Sequence, residues 1–134
     1  MVRYIPIDSG FALACSTSDL LELRWRHEGI VADFIDPTND ERLWRVQFDE
    51  VIAIRVIDEF YISTEEETPK EGLVAENFAY LVENRQFFRS QPELLRRDMD
   101  FRHYQFVTAW ACLDVISHKL RRFGLPLRAA GNCR

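Results

Sequence analysis

The sequence lacks most of what marks a catalytic or metal-binding chain. Its five glycines are scattered, so no glycine-rich loop is available to cradle a phosphate. Ser9 stands before Gly10 but not within a G-x-S-x-G elbow. The three histidines, His27, His103 and His118, show no HxH, HxxxH or HExxH spacing, so a metal site is not expected. The three cysteines, Cys15, Cys112 and Cys133, contain no CxxC pair. An odd count without paired spacing fits a reducing compartment better than a disulfide scaffold. Cys15 and Cys112 lie in apolar runs, where a thiol behaves as a small hydrophobe. There is no run of about 20 apolar residues, and hence no candidate transmembrane helix. The opening MVRYIPIDSG lacks the charged, apolar and small-residue regions of a signal peptide. These absences lead to the expectation of a cytoplasmic protein with no cofactor, no metal and no membrane partner.

Positive charge is also in short supply. Lys and Arg number 17 against 22 acids, for a formal charge of −5. A general nucleic-acid binder must neutralise phosphates, so nucleic acid is not an expected partner. The basic residues that do cluster, Lys119, Arg121, Arg122, Arg128 and Arg134, read as a solvated C-terminal tail.

What the chain does have is large apolar side chains. Hydrophobic residues make up 47% and aromatic residues 13%, including ten Phe. A length of 134 residues suits one domain with a core of its own. Residues 1–124 are expected to form it, with 125–134 a poorly ordered tail, the break being signalled by Gly124, Leu125 and Pro126.

The patterning is mostly of period two, the period of a strand. Val2 to Ile7 alternates, with Pro6 suited to an edge. Phe11 to Cys15 is a second short candidate. Leu21, Leu23 and Trp25 alternate with Glu22, Arg24 and Arg26, and Gly29 suits a hairpin turn into Ile30–Asp36. Pro37 to Asp40 is a loop by composition. Arg42 to Ile62 is the longest strand-like run and is read as two strands meeting at Asp49–Glu50. Val51 to Ile57 is apolar on both faces except at Arg55, as in a covered central strand. Arg55 there requires a carboxylate, and Asp58 and Glu59 are nearest in sequence. Thr64 to Gly72 is acidic and loop-like, and Tyr80 to Glu83 is a short strand. Pro92 divides the next stretch into two helical turns, Gln86–Arg89 and Pro92–Arg96. Phe101 to Phe123 allows two descriptions. Phe106, Trp110, Leu113, Ile116, Leu120 and Phe123 make a helical stripe, but the β-branched and aromatic content favours a hairpin. The expected class is α+β and mainly β: an antiparallel, strongly curved or barrel-like sheet with one or two short helices.

Two segments, LWRVQFDEVIAIRVIDE and HYQFVTAWACLDVISHK, resemble parts of a group of small bacterial proteins. Those proteins join a strand–bend–strand ending in an acid to a late "HY…DV" hairpin, and some are regarded as immunity proteins of polymorphic toxin systems. The resemblance covers about a third of the chain. It implies a mainly-β or α+β domain with an interaction role and brings no catalytic residue with it. The group's pattern has polar residues at the last hairpin's tip, where this chain has Ala109, Trp110 and Ala111.

The candidate site residues come from this last segment. His103 and Asp114 can face each other across the hairpin, with Tyr104 and His118 near them, as an acid–base pair or as a plain cross-strand contact. In the hairpin description Trp110 is at the tip, an exposed aromatic anchor of the kind found at protein interfaces; in the helical one it falls on the buried stripe. Three functions follow in order of preference. The first is a non-catalytic interaction domain, immunity-like or self-associating, whose partner is another protein or a second copy. The second is a barrel-like module for a small apolar ligand. The third is an enzyme using His103 and Asp114.

Overall fold

The computed structural model describes residues 2–7, 18–27, 29–36, 39–58, 70–73, 77–83, 86–91 and 101–127. Among them the chain forms β1 (Val2–Pro6), β2 (Asp19–Arg26), β3 (Gly29–Asp36), β4 (Asn39–Asp58), β5 (Lys70–Glu71), β6 (Ala79–Glu83), one helical turn α1 (Gln86–Arg89), β7 (Arg102–Val107) and β8 (Ala111–Leu127). The strands make one eight-stranded sheet in the order β2-β3-β4-β8-β7-β6-β1-β5. Every neighbouring pair is antiparallel except β1 and β5. The sheet is open, with β2 and β5 as its edges, and does not close into a barrel.

The spine is the long ribbon of β4 and β8, in register from Leu43↔Leu127 to Asp58↔Ala111. Its two ends have different neighbours. β3 pairs with β4 only as far as Phe48, and β7 pairs with β8 only between Cys112 and Ser117. Between these ends the ribbon bends. Its register shifts at Gln47/Phe48 and Val51/Ala53, and Glu50 adopts a φ of 52°. Extra residues at such bulges bend a strand and sharpen its twist.

The bend brings the two halves of the sheet face to face. In a flat sheet β3 and β7 would stand about 14 Å apart, at three strand spacings. Yet the rings of Phe34 on β3 and Phe106 on β7 have centroids 5.3 Å apart, and Phe34 lies 5.0 Å from Phe78. Phe48 meets Tyr104 at 5.0 Å. Ala32, Trp44, Val46, Leu113 and Val115 complete the core between the halves. The alternation in the sequence supplies this directly, because Trp44, Val46 and Phe48 share one face of β4.

Several details differ from the sequence-based expectation. Arg42 to Asp58 is one bent strand rather than two, because β8 accompanies it through the bend. Its second half is not sealed on both faces: residues 51–55 and 57 are half-buried and Val56 is exposed, since β3 ends at Phe48 and, among the described residues, only β8 accompanies that part of the strand. Asn39 and Asp40 belong to β4 rather than to a loop, and Lys70–Glu71 form β5. β8 continues to Leu127, three residues past the boundary drawn at 124. In β2, a register shift between Leu20 and Glu22 buries Leu20 and turns Leu21 out to solvent. The expected strand at Phe11–Cys15, the second helical turn at Pro92–Arg96 and the tail at 128–134 lie outside the described residues.

Gly29, which turns β2 into β3, has a φ of +150°. A Cβ there would run into the carbonyl oxygen of Phe48 on β4. Gly29→Ala is therefore predicted to destabilise the fold by about 1–3 kcal/mol, the range for enforced backbone strain. Urea denaturation measures it; a loss below about 0.5 kcal/mol, the size of an ordinary surface change, would show the approach to β4 to be looser than described.

Candidate functional site

The most concentrated group of polar side chains surrounds Asp114, in the middle of the sheet on the face away from the main core. In β8 the core side is taken by Leu113 and Val115, so Cys112, Asp114 and Ile116 point the other way. Register then selects Asp114's neighbours: Arg55 lies directly opposite on β4, and Gln105 directly opposite on β7. His103, two residues from Gln105, is on the diagonal.

All three reach the carboxylate, which is 0% exposed. Arg55 Nε and Nη2 donate to Oδ2 at 3.1 and 2.8 Å. Gln105 Nε2 donates to Oδ1 at 2.8 Å, and His103 Nε2 lies 2.7 Å from the same oxygen. Burial pushes the Asp114 carboxyl up, but the His103 bond, the Arg55 charge and the Gln105 bond outweigh it and hold the group below its ordinary value of 3.8. An ionised carboxylate can only accept, so the hydrogen in the His103 contact sits on Nε2. His103 Nδ1 is buried with no hydrogen-bond partner among the described residues.

Phe87 of α1 covers the cluster. Its ring lies 4.6 Å from the Arg55 guanidinium carbon and 5.4 Å from the His103 ring. The turn that carries it is fastened locally, with Ser90 Oγ and Gln91 Nε2 both donating to the Phe87 carbonyl at 2.8 and 2.9 Å.

Of the residues singled out in the sequence, His103 and Asp114 do converge. Tyr104 does not join them, because the pleat sends it to the opposite face and into the core beside Phe48. His118 is also elsewhere: at the ribbon's bend it stacks on Phe101 at 3.8 Å and contacts Glu50 at 2.5 Å. Arg55 meets a carboxylate at Asp114, 59 residues along the chain; of the two acids nearest in sequence, Asp58 is exposed and Glu59 lies outside the described residues. Among the described residues no group of three or more His, Cys, Asp or Glu is placed to hold a metal ion. None of their helices is long and apolar enough to cross a membrane.

Trp110 stands at the tip of the β7–β8 hairpin, 51% exposed. The tip is tightly built. Thr108 N and Oγ1 donate to the Ala111 carbonyl at 2.9 and 2.8 Å, and Ala111 N donates to Thr108 Oγ1 at 3.1 Å. Ala109 N donates to the Ser18 carbonyl at 2.8 Å, which ties the tip to the first residue of the approach to β2. Leu21 and Trp25 of β2 are themselves 54% and 56% exposed. Leu21 lies about 10 Å along the strand from Ser18 and Trp25 about 13 Å beyond it, so the exposed apolar groups are spaced along the β2 edge from the hairpin tip. Alternation in the sequence had set Leu21 and Trp25 on a dry face; the bulge, which no residue type announces, and the open edge of β2 expose them.

A cleft of about 350 Å³ lies on the outer face of β2, β3 and β4 and is lined by Arg24, Arg26, Gln47 and Asp49 among others. Its walls are polar and charged, suited to a hydrophilic partner rather than an apolar one. Comparison with protein-family models, with curated proteins and with solved structures finds no match to this chain.

Proposed function

We propose that this chain is a non-catalytic protein-binding domain of the cytoplasm, whose contact surface is the end where Trp110 meets β2. The observation that carries this reading is a Trp half exposed on a rigid hairpin tip. A large aromatic held in place loses little freedom when a partner covers it, which is why such residues dominate interface energetics. Leu21 and Trp25 extend the apolar surface beyond a single side chain. The resemblance of two segments to proteins regarded as immunity proteins supports the same reading, since such proteins act by holding another protein.

The two competing functions draw less support. His103 and Asp114 are in contact but buried, and the carboxylate is occupied by four protein donors. That arrangement suits a structural network better than a group that must meet a substrate. The space between the sheet halves is filled by aromatic rings, which suits a packed interior better than an apolar-ligand cavity.

A photo-crosslinking amino acid at position 110, and separately at position 21, tests the proposal in the native cell. The expected result is an adduct of discrete mass at both positions, weakened from position 21 when Trp110→Ala is also present. The Trp110→Ala chain should melt within about 0.5 kcal/mol of the wild type, as exposed positions do. A chain that forms no discrete adduct from either position would overturn the reading.

A further inference from the structure

We propose that β2 binds the β2 of a second copy of this chain, edge to edge and antiparallel, about a two-fold axis at Leu23. This rests on the protein-binding reading above and names its partner.

β2 is an edge of the sheet, so one row of its N–H and C=O groups points away from β3. Among the described residues, nothing pairs with that row along Asp19–Arg26. Edge strands are ordinarily protected by proline, by charged side chains and lysine above all, by a bulge or by being very short. β2 runs for eight residues, DLLELRWR, with neither proline nor lysine; its bulge is confined to Leu20–Glu22, and its charges are of both signs.

Its charges are arranged so that it complements itself. The acids Asp19 and Glu22 come first and the bases Arg24 and Arg26 last. Antiparallel pairing sets the head of one strand against the tail of the other. In a two-fold pairing, residues that face each other must lie on the same face of the combined sheet, so only every second register is allowed. With the axis at Leu23, Glu22 faces Arg24 on both sides of it, and the exposed Leu21 faces the exposed Trp25 of the second copy. A shift of the axis by one residue sets Glu22 against Glu22 in one direction and Arg24 against Arg24 in the other. Like charges directly opposite are destabilising. Glu22 and Arg24 already form an ion pair at 3.0 Å within the strand, so dimerisation would join two such pairs into a four-charge group.

The geometry also draws in Trp110. The second copy's Arg26 end would lie against the Ser18 end of β2, beside the tip that Ala109 ties there. An Arg near an exposed Trp face is a favourable cation–π pairing. Each copy's bulge, between Leu20 and Glu22, flanks the axis, one on either side, and leaves Glu22 to Arg24 of both strands regular. Pairing of this kind is isologous and closes as a dimer. The opposite edge of the sheet, β5, has two residues and offers little to extend it into a fibre.

The test is sedimentation velocity over a concentration series on the wild type, Glu22→Arg and Arg24→Glu. Both substituted positions are exposed or half-exposed, and circular dichroism melts check that the fold is kept. The wild type is expected to dimerise. Each variant alone sets like charges opposite each other twice and should weaken the dimer about 100-fold or more. An equimolar mixture of the two variants restores both opposite-charge pairs and should recover a heterodimer. A wild type that stays monomeric, variants that dimerise as the wild type does, or a mixture that fails to associate each overturns the proposal. If crosslinks from position 110 then lead to a different protein, the protein-binding reading stands and only self-pairing falls; if they lead to none, both fall.

Discussion

Asp114→Asn should lower the unfolding free energy by about 3 kcal/mol, the lower end of the range for removing one partner of a buried ion pair. The substitution keeps the shape of the side chain and removes its charge. One of its two terminal atoms becomes an NH2 group that must face donors from Arg55, His103 or Gln105. The loss stays at the lower end because the Arg55 side chain is 26% exposed and water partly screens it. Arg55→Met should lose less than Asp114→Asn, and the double variant less than the sum, because the two act on one network. The effect also depends on pH in a defined direction. The folded-state pKa of Asp114 lies below its ordinary value of 3.8. Its contribution is therefore fully present above that value and disappears as pH falls through the lower folded-state pKa. The difference in urea midpoint between wild type and Asp114→Asn should be constant from neutral pH down to about pH 4 and shrink below it. A difference that vanished between pH 5 and 7 would show that the carboxyl is not held ionised by its neighbours.

The limits of sequence reading are visible at this same network. His103 and Asp114 are eleven residues apart within one hairpin, so alternation and a plausible tip suffice to bring them together. Arg55 is 59 residues from Asp114, and the link depends on the register of β4 against β8. That register passes through bulges on its way along the ribbon, and a single uncounted residue would exchange the two faces. Arg55 in an apolar strand did signal that a carboxylate was needed; which one was not legible. The β2–β3 turn was legible because Gly29 sits between two alternating runs. The bend at Asp49–Glu50 was legible as two polar residues in a strand-like stretch. Its outcome was not: one continuous strand that folds the sheet's halves together depends on β8, whose residues at the bend, Ser117 and His118, come 68 positions after Asp49 and Glu50. Alternation itself already puts Tyr104 on the face opposite His103, so grouping them in one site neglected the pleat. Trp110 was legible as exposed once the hairpin was preferred to the helix, and the β-branched content of Val107, Thr108, Val115 and Ile116 carried that preference.

Phe106→Ala tests whether the two halves of the sheet depend on one core. Phe106 is fully buried on β7, and its ring meets Phe34 of β3 at 5.3 Å, Phe48 of β4 at 5.9 Å and Phe78 at 6.0 Å. It thus joins strands that are three places apart in the sheet order. Removing the ring takes away its burial and leaves a cavity that bent strands, tied by their ladders, can close only in part. The expected loss is about 3–5 kcal/mol, the range for a buried Phe reduced to Ala. That is a large share of the 5–15 kcal/mol typical of a folded domain. Phe106→Leu keeps most of the volume and should lose much less. Two probes distinguish a shared core from two separate ones. Trp fluorescence and far-ultraviolet circular dichroism should report the same urea midpoint in the wild type, because halves that share Phe106 unfold together. If Phe106→Ala lost less than about 1 kcal/mol, or if the two signals separated already in the wild type, the halves would not be sharing that ring. The bent ribbon of β4 and β8 would then be a hinge between two independent layers rather than the fold that seals one interior.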